Sequence, residues 1–145
     1  AKNKGMNGIC TIATKKKKPF LGEKSFFEHF GFKVVDMVGD YQLLALQFTR
    51  RNIPRFSDTA RKMQIPEKDF TIYYSPACPF VEAEAKNIAN YAKNNNIKVN
   101  FVKVNNLKKA KEVPCVFNNW ANFYNGKFIS NTILNEISIA KIIKK

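Results

Sequence analysis

The order of hydrophobic patterns in residues 70–145 is the feature that most constrains the fold of this chain. Apolar residues alternate in some segments, as in a strand, and recur every three to four residues in others, as in an amphipathic helix. In chain order the predicted elements are a strand at 70–74, a helix at 79–96, a strand at 98–104, a short helix at 106–112, a hairpin with its turn at Asn125-Gly126 and a closing helix at 133–145. Because a helix between two strands favours a parallel crossover, this order predicts a βαβ unit followed by αββα.

The βαβαββα order resembles that of a thioredoxin fold, in which a parallel crossover pair joins an antiparallel hairpin. In "SPACPFVEAEA", Cys78 lies where glutaredoxin-like proteins keep their reactive thiol, directly before the helix that begins at Pro79. The N-terminus of a helix favours a thiolate, whereas Glu82 and Glu84 oppose it. The second cysteine of such a motif is replaced by Val81, which excludes a dithiol cycle within the motif and leaves monothiol chemistry open.

A second cysteine follows a proline later in the chain. Pro114 in "EVPCVF" resembles the proline that faces the thiol in thioredoxin folds, often after a cis peptide bond. This placement would bring Cys115 close to Cys78, and a resolving pair of these two thiols is our hypothesis. The alternative stays open, namely that Cys78 is a half-buried thiol with a structural role. Pro79, Pro114 and Cys115 are therefore the predicted neighbours of the thiol site.

The first third of the chain has a different order of elements. It contains a predicted strand at 8–14, a helix at 21–32 and a hairpin at 33–48, with Gly31 as the natural end of the helix. The next segment has two prolines, mixed charge and little periodicity, apart from one possible helical turn. We therefore predict an α/β protein with one domain at 1–49, a linker at 50–69 and a second domain at 70–145.

Residues 2–36 resemble the C-terminal half of a GNAT-family N-acetyltransferase. The segment "SFFEHFGFKVVD" is similar to the helix-then-strand signature of that family, F-Y-E-x-x-G-F, and "AKNKGMNG" is similar to the end of the preceding family helix. The resemblance implies a partial GNAT β-α-β-β unit, acetyl-CoA as cofactor and a small-molecule or peptide amine as acceptor. It also implies cofactor contacts at Lys18, Pro19, Phe26 and Phe27.

Two departures from the GNAT pattern qualify this expectation. The Gly-rich loop whose backbone N–H groups cradle the pyrophosphate of acetyl-CoA would precede the chain. The tyrosine that often serves as general acid is replaced by Phe27, which cannot donate a proton to a leaving thiolate. We therefore expect acetyl transfer in a longer parent protein and not in these 145 residues alone, which we do not expect to bind acetyl-CoA unaided.

Residues 57–145 resemble the YoaP-like domain that follows the acetyltransferase domain in some bacterial and archaeal GNAT proteins. "TIYYSPACPF" and "NFYNGKFISNTIL" carry this match. The resemblance implies a thioredoxin-like fold and brings little chemistry with it. In the first half, the strand at 8–14 would pair on one side with a strand outside the chain. We therefore expect a dimer partner or an upstream segment to cover that edge.

The charge of the chain does not indicate a nucleic-acid groove. The net charge of +14 is divided equally between residues 1–56 and 57–145, and lysine greatly outnumbers arginine. The many lysines and asparagines therefore indicate a compositional bias of the genome. Lys15–Lys18 could meet cofactor phosphates, although a solvated loop is the commoner role of such a run.

The cysteine and histidine content excludes several kinds of site. Three scattered cysteines and a single histidine give no metal-ligand spacing and no disulfide framework, which is typical of a reducing, cytoplasmic setting. No apolar run is long enough to span a membrane, and no signal peptide opens the chain. We expect Cys10 and the phenylalanines at 26, 27, 30 and 32 to be core residues, and His29 to lie at the surface.

Two functions of different classes follow from these patterns. The first is the C-terminal part of an N-acetyltransferase that moves an acetyl group from acetyl-CoA to an amine. The alternative is a thioredoxin-like binding or monothiol redox module centred on Cys78. Neither resemblance identifies the amine that accepts the acetyl group.

Overall fold

Two separate β-sheets form in this mixed α/β chain, one in each of two units. The computed structural model describes residues 1–18 and 21–143, and its two units are Ala1–Ser57 and Asp58–Lys145. The residues of the predicted linker at 50–69 divide between these units. The two units are described separately below.

In its described residues, 1–18 and 21–57, the first unit contains three strands and one short α-helix. Its elements are β1 (Gly8–Thr14), α1 (Lys24–His29), β2 (Lys33–Val38) and β3 (Tyr41–Gln47), preceded by a 3₁₀ turn at Lys2–Lys4. The last strand lies in the middle of the sheet, which has the order β1-β3-β2, and it is antiparallel to both neighbours. Consequently β1 and β2 run parallel to each other, with α1 as the connection between them.

The predicted boundaries in the first unit agree with the structure at the strands and differ at the helix. Gly31 has a φ of +83°, which ends α1 as predicted because glycine adopts this left-handed backbone without a Cβ clash. Gly39 has a φ of +56° at the predicted hairpin turn. However, α1 begins at Lys24, three residues later than predicted, with Glu23 as an extended N-cap.

The second unit contains four strands and four helices within the described residues. They are α2 (Asp58–Arg61), β4 (Phe70–Tyr74), α3 (Pro79–Asn94), β5 (Val99–Lys103), α4 (Leu107–Glu112), β6 (Trp120–Tyr124), β7 (Lys127–Ser130) and α5 (Glu136–Ile143). The sheet order is β5-β4-β6-β7. The pair β4–β5 is parallel, as predicted for a crossover through α3, and the other two pairs are antiparallel.

The second unit buries a hydrophobic cluster on each face of its sheet. Side chains alternate between faces along a strand, so Phe70 and Ile72 of β4 lie in one cluster and Tyr73 packs in the other. The predicted inner face of α3 is buried at Val81, Ala85, Ile88 and Ala92, and the first three of these residues belong to the first cluster. Trp120 is also buried in the first cluster, which confirms that its role is packing.

Three residues that we expected in the core lie at the surface. Cys10 is exposed because β1 is an edge strand whose side chains are buried only near its C-terminal end. Phe26 and Phe30 are 59% and 57% exposed because α1 is short and presents one side to solvent. In contrast, Phe27 and Phe32 are half-buried and contact each other with ring centroids 5.6 Å apart. His29 is exposed, as predicted.

Candidate functional site

The Cys78 thiol lies at the start of the longest helix of the second unit. Cys78 is the extended N-cap of α3, and its carbonyl accepts hydrogen bonds from the Val81 and Glu82 amides at 3.1 and 3.4 Å. Pro79 occupies the first helical position, where its missing N–H is not needed. The Cys78 side chain is half-buried and packs against the cluster that contains Trp120. Cys78 therefore directly precedes the first turn of a helix of 16 residues, and its side chain makes no capping hydrogen bond there.

An ion pair removes part of the acidic environment that the sequence predicts around Cys78. The Lys103 ammonium at the end of β5 lies 2.6 Å from the Glu82 carboxylate in the first turn of α3. The hydrogen bond to Lys103 holds the pKa of Glu82 below its ordinary value, and the same bond raises the pKa of Lys103. The Glu82 charge in the first turn of α3 is therefore compensated by Lys103.

Cys115 has a different environment from Cys78. Its side chain is 3% exposed, and its thiol donates a hydrogen bond to the Phe117 carbonyl at 3.0 Å. Burial raises the pKa of this thiol from its ordinary 9.0 to about 12. Cys115 therefore stays protonated at neutral pH and is a poor nucleophile.

The structure does not bring the two predicted partners Cys78 and Cys115 together. Cys78 packs against one cluster, whereas Cys115 belongs to the cluster on the opposite face of the sheet. Both thiols are free. Pro114 is buried beside Cys115, and no cis peptide bond occurs in residues 1–18 or 21–143. The sheet itself separates the two side chains, so a resolving pair remains a hypothesis that this conformation does not favour.

The cofactor contacts implied for the first unit lie around α1 and the loop that precedes it. The Lys18 ammonium is 3.3 Å from the Tyr41 hydroxyl and lies 4.5 Å from the centroid of the same ring. Pro19 lies outside the described residues. Phe26 packs edge-on against Phe27, with ring centroids 5.4 Å apart, and leaves most of its own ring exposed.

A cleft lies between this loop and the start of α1. It has a volume of about 320 Å³ and is lined in part by Thr14, Lys15, Lys17 and Glu23. Lys17 and Glu23 form an exposed ion pair at 2.9 Å, which raises the pKa of Lys17. Lys15 and Lys16 are exposed, so the loop presents ammonium groups to solvent.

Sequence reasoning missed the asparagines of the second unit. We interpreted them as compositional bias, but Asn122 is fully buried and its amide donates to the Ser130 and Thr132 carbonyls at 3.2 and 2.7 Å. It also accepts a bond from the Trp120 indole at 3.0 Å. Four more asparagines line one cleft, namely Asn105, Asn106, Asn118 and Asn119. Their occurrence as adjacent pairs beside strand ends was the available signal.

The described residues contain neither a cluster of metal-ligand side chains nor a membrane-spanning helix. No three His, Cys, Asp or Glu side chains within residues 1–18 and 21–143 lie close enough to hold a metal ion. Among the helices of these same residues, none combines the length and the apolar content that crossing a bilayer requires.

Comparison with known proteins gives two matches. Residues 99–141, which extend from β5 into α5, match the YoaP-like family. Over 145 residues, 99% of the chain, the sequence is 31% identical to "Uncharacterized N-acetyltransferase YoaP" of Bacillus subtilis (strain 168). The aligned region is 58% of that protein, so the chain spans a little over half the length of this curated relative. No solved structure matches the chain significantly.

Proposed function

We propose that the chain is the C-terminal part of a GNAT-family N-acetyltransferase, joined to a thioredoxin-like module of the YoaP type. One observation carries this proposal, namely the 31% identity over 99% of the chain to a protein named as an N-acetyltransferase. The alignment includes both units, so the relative contains a counterpart of each in the same order. The reaction proposed is the transfer of an acetyl group from acetyl-CoA to an amine of a small molecule or peptide.

The sheet of the first unit supports the GNAT assignment. In this sheet β1 and β2 are parallel, α1 connects them, and β3 lies between them and is antiparallel to both. The signature-like segment "FFEHFGF" covers the second half of α1, the turn at Gly31 and the residue before β2. The helix-then-strand resemblance and the observed elements therefore coincide residue by residue.

The sheet of the second unit supports the thioredoxin-like assignment. The order β5-β4-β6-β7 has one parallel pair joined through α3 and a terminal antiparallel hairpin, which is the topology that the βαβαββα order predicts. The turn of that hairpin has φ values of 50° at Asn125 and 78° at Gly126, as a type I′ turn requires. The region that matches the YoaP-like family covers three of the four strands.

The residues around α1 fit one part of acetyl-CoA. This cofactor carries phosphates at one end and a flexible, less polar arm at the other, and when bound it supplies an acetyl group activated as a thioester. The ammonium groups of Lys15, Lys16 and Lys18 would attract the phosphates, and the exposed ring of Phe26 would contact the arm. Phe27 can position the arm but has no proton to donate, so the proton for the leaving thiolate comes from another group.

A binding experiment tests this proposal. Acetyl-CoA should raise the melting temperature of a longer gene product that contains the chain, because a ligand at one hundred times its Kd stabilises the folded state by about 2.7 kcal/mol. Replacing Lys15, Lys16 and Lys18 together by alanine should raise the Kd at least tenfold. The matched control replaces three exposed lysines of the second unit, Lys108, Lys109 and Lys111, and should leave the Kd unchanged.

Two results would contradict the proposal. Equal weakening by both triple variants would show that the lysines act through net charge alone. Absence of both binding and acetyl transfer to a panel of primary amines, in the chain and in a longer gene product that contains it, would remove the acetyltransferase assignment.

A second candidate function is a monothiol module centred on Cys78, favoured by the position of this thiol at the N-terminus of α3. Oxidised glutathione supplies the test. The Cys78 thiolate would attack one sulfur of that disulfide, form a mixed disulfide and release one glutathione thiolate. Mass spectrometry should find glutathione on Cys78 before it is found on Cys10, with Cys115 unmodified. Faster modification of the exposed Cys10 would argue against a functional thiol at Cys78.

A further inference from the structure

The second unit has an open cleft at the carboxyl ends of its two parallel strands. We call it the asparagine cleft and define it by Asn105, Asn106, Asn118 and Asn119. The first two asparagines follow β5 and lead into α4, and the other two precede β6. The segment after β4 completes the wall with Pro76 and Ala77. Ligands of open α/β sheets commonly bind at this end of the strands.

The chemistry of the lining is unusual for this chain. Of its 145 residues, 25 are basic and 11 are acidic, yet none of the ten residues that line the cleft carries a charge. The cleft has a volume of about 690 Å³, larger than the other described clefts of the second unit, and within the range of small-ligand sites. The lining itself therefore offers no counter-charge to an anionic ligand such as a phosphate or a nucleic acid.

Several amides in the cleft have unused hydrogen-bonding capacity. Asn106 caps α4 by accepting from the Lys109 amide at 2.9 Å, and its own Nδ2 lies 3.4 Å from the Asn105 oxygen. The exposed side chains of Asn118 and Asn119 make no hydrogen bond to any part of the chain that the structure describes. Each amide offers two donors and one acceptor.

The walls of the cleft are held in place by backbone bonds. The Ser75 amide donates to the Asn119 carbonyl at 2.9 Å, and the Val104 amide donates to the Tyr74 carbonyl at 2.7 Å. These two bonds join the three segments that form the cleft. Apolar surface is present as well, because Leu107 is 71% exposed at its rim. The cleft therefore combines fixed walls, free amides and an exposed aliphatic side chain.

We propose that the asparagine cleft binds the main chain of an extended, uncharged peptide segment. A peptide backbone presents alternating N–H donors and carbonyl acceptors. The carbonyl oxygens of the asparagine side chains can accept from the former, and their NH₂ groups can donate to the latter. The exposed Leu107, together with Pro76, would contact an aliphatic side chain of the ligand. The inference is independent of acetyl transfer, since every residue of the cleft belongs to the second unit.

The test uses the ¹⁵N-labelled chain of 145 residues and a pooled library of uncharged octapeptides, acetylated and amidated at their ends. The side-chain NH₂ signals of the four cleft asparagines should shift in a saturable manner as the library is added. Replacing Asn118 and Asn119 together by alanine should raise the apparent Kd at least tenfold. The matched control, Asn87→Ala with Asn90→Ala on α3, should leave it unchanged.

A second variant distinguishes weaker peptide binding from unfolding of the second unit. Asn105→Asp keeps the size of the side chain and introduces a charge, so it should weaken binding of the uncharged peptides at least threefold while the remaining spectrum is preserved. The inference is overturned if millimolar peptide shifts none of the cleft signals, or if binding is unchanged by the Asn118 and Asn119 substitutions. Tighter binding of an oligothymidylate or of glutamate-rich octapeptides in the same cleft would also overturn it.

Discussion

The two units differ in how completely each covers its own apolar surface. The second unit packs one hydrophobic cluster on each face of a four-stranded sheet. The described part of the first unit has three strands and one α-helix of six residues, which is too little material to cover both faces of a sheet. Exposed large apolar side chains among its described residues are Met6, Ile9, Phe26, Phe30, Met37 and Ile53.

This difference shows that a sequence can form its strands and helices without burying their apolar side chains in a core. The strands of the first unit form in the expected order, yet an edge strand and an aromatic helix face remain open to solvent. Exposed apolar surface of this kind is typical of a surface that another segment or chain covers. We therefore retain the proposal that a dimer partner or an upstream segment lies along β1.

The sharpest comparison between the units replaces one phenylalanine in each. Phe123 is fully buried and contacts Tyr73 and Phe128, so Phe123→Ala should lower the free energy of unfolding by about 3–5 kcal/mol. Phe26→Ala in the first unit should cost less than about 1 kcal/mol because the ring is already exposed. Fluorescence of Trp120, the single tryptophan, follows urea unfolding of the second unit, and amide hydrogen exchange of β3 follows the first unit.

An equal cost of the two phenylalanine substitutions would contradict this comparison. It would mean that Phe26 is covered in solution, and sedimentation of the chain at several concentrations would then show whether a second copy provides the cover.

A buried amide in each unit gives the next largest effect. The buried Asn122 side chain forms hydrogen bonds with Ser130, Thr132 and Trp120. Asn122→Ala removes these bonds and should therefore lower the free energy of unfolding of the second unit by about 2–3 kcal/mol. Gln42 is 5% exposed, and its Oε1 has no partner among the described residues. Gln42→Leu should therefore stabilise the first unit by about 1 kcal/mol.

Amide hydrogen exchange of β3 and β6 measures the two changes separately. Gln47→Leu is the control for the first unit, since Gln47 is exposed on the same strand and should change little. Destabilisation by Gln42→Leu would show that this amide has a partner in solution.

The two hairpin turns provide a smaller contrast. Gly126 has a φ of +78°, and a Cβ there would lie 2.9 Å from the Ile65 carbonyl oxygen, so Gly126→Ala should cost about 2 kcal/mol from backbone strain and a close contact. Gly39 has a φ of +56° with open space around it, so Gly39→Ala should cost about 1 kcal/mol from strain alone. Urea midpoints of the two variants test this order, and a larger cost at Gly39 would contradict it.

The effect that is smallest at neutral pH is a pH dependence at Cys115, which develops only in alkaline solution. The folded-state pKa of about 12 is above the ordinary 9.0, so the folded state keeps a proton that the unfolded state loses. Stability from this thiol is therefore complete below pH 9 and declines by about 1 kcal/mol per pH unit from there towards pH 12. The difference in unfolding free energy between the chain and Cys115→Ala should narrow over that window.

Most elements of the fold were predictable because their signals are local. The inner face of α3, the type I′ turn at Asn125-Gly126 and the end of α1 at Gly31 each follow from periodicity or backbone preference within a few residues. The candidate thiol at Cys78 was predictable for the same reason, since its place before Pro79 is a short-range feature. The ion pair between Lys103 and Glu82 was not predictable, because only the β4–β5 pairing brings Lys103 close to Glu82.

The sequence by itself determined which segments become strands and helices, and where the turns between them lie, since those depend on neighbouring residues. The tertiary structure alone decided which side chains meet or stay apart: Cys78 and Cys115 on opposite faces of one sheet, Cys10 at the surface, and four asparagines around one cleft. The physical reason is that burial and contact depend on strand order and on what covers each face, and these arise between residues far apart in the chain.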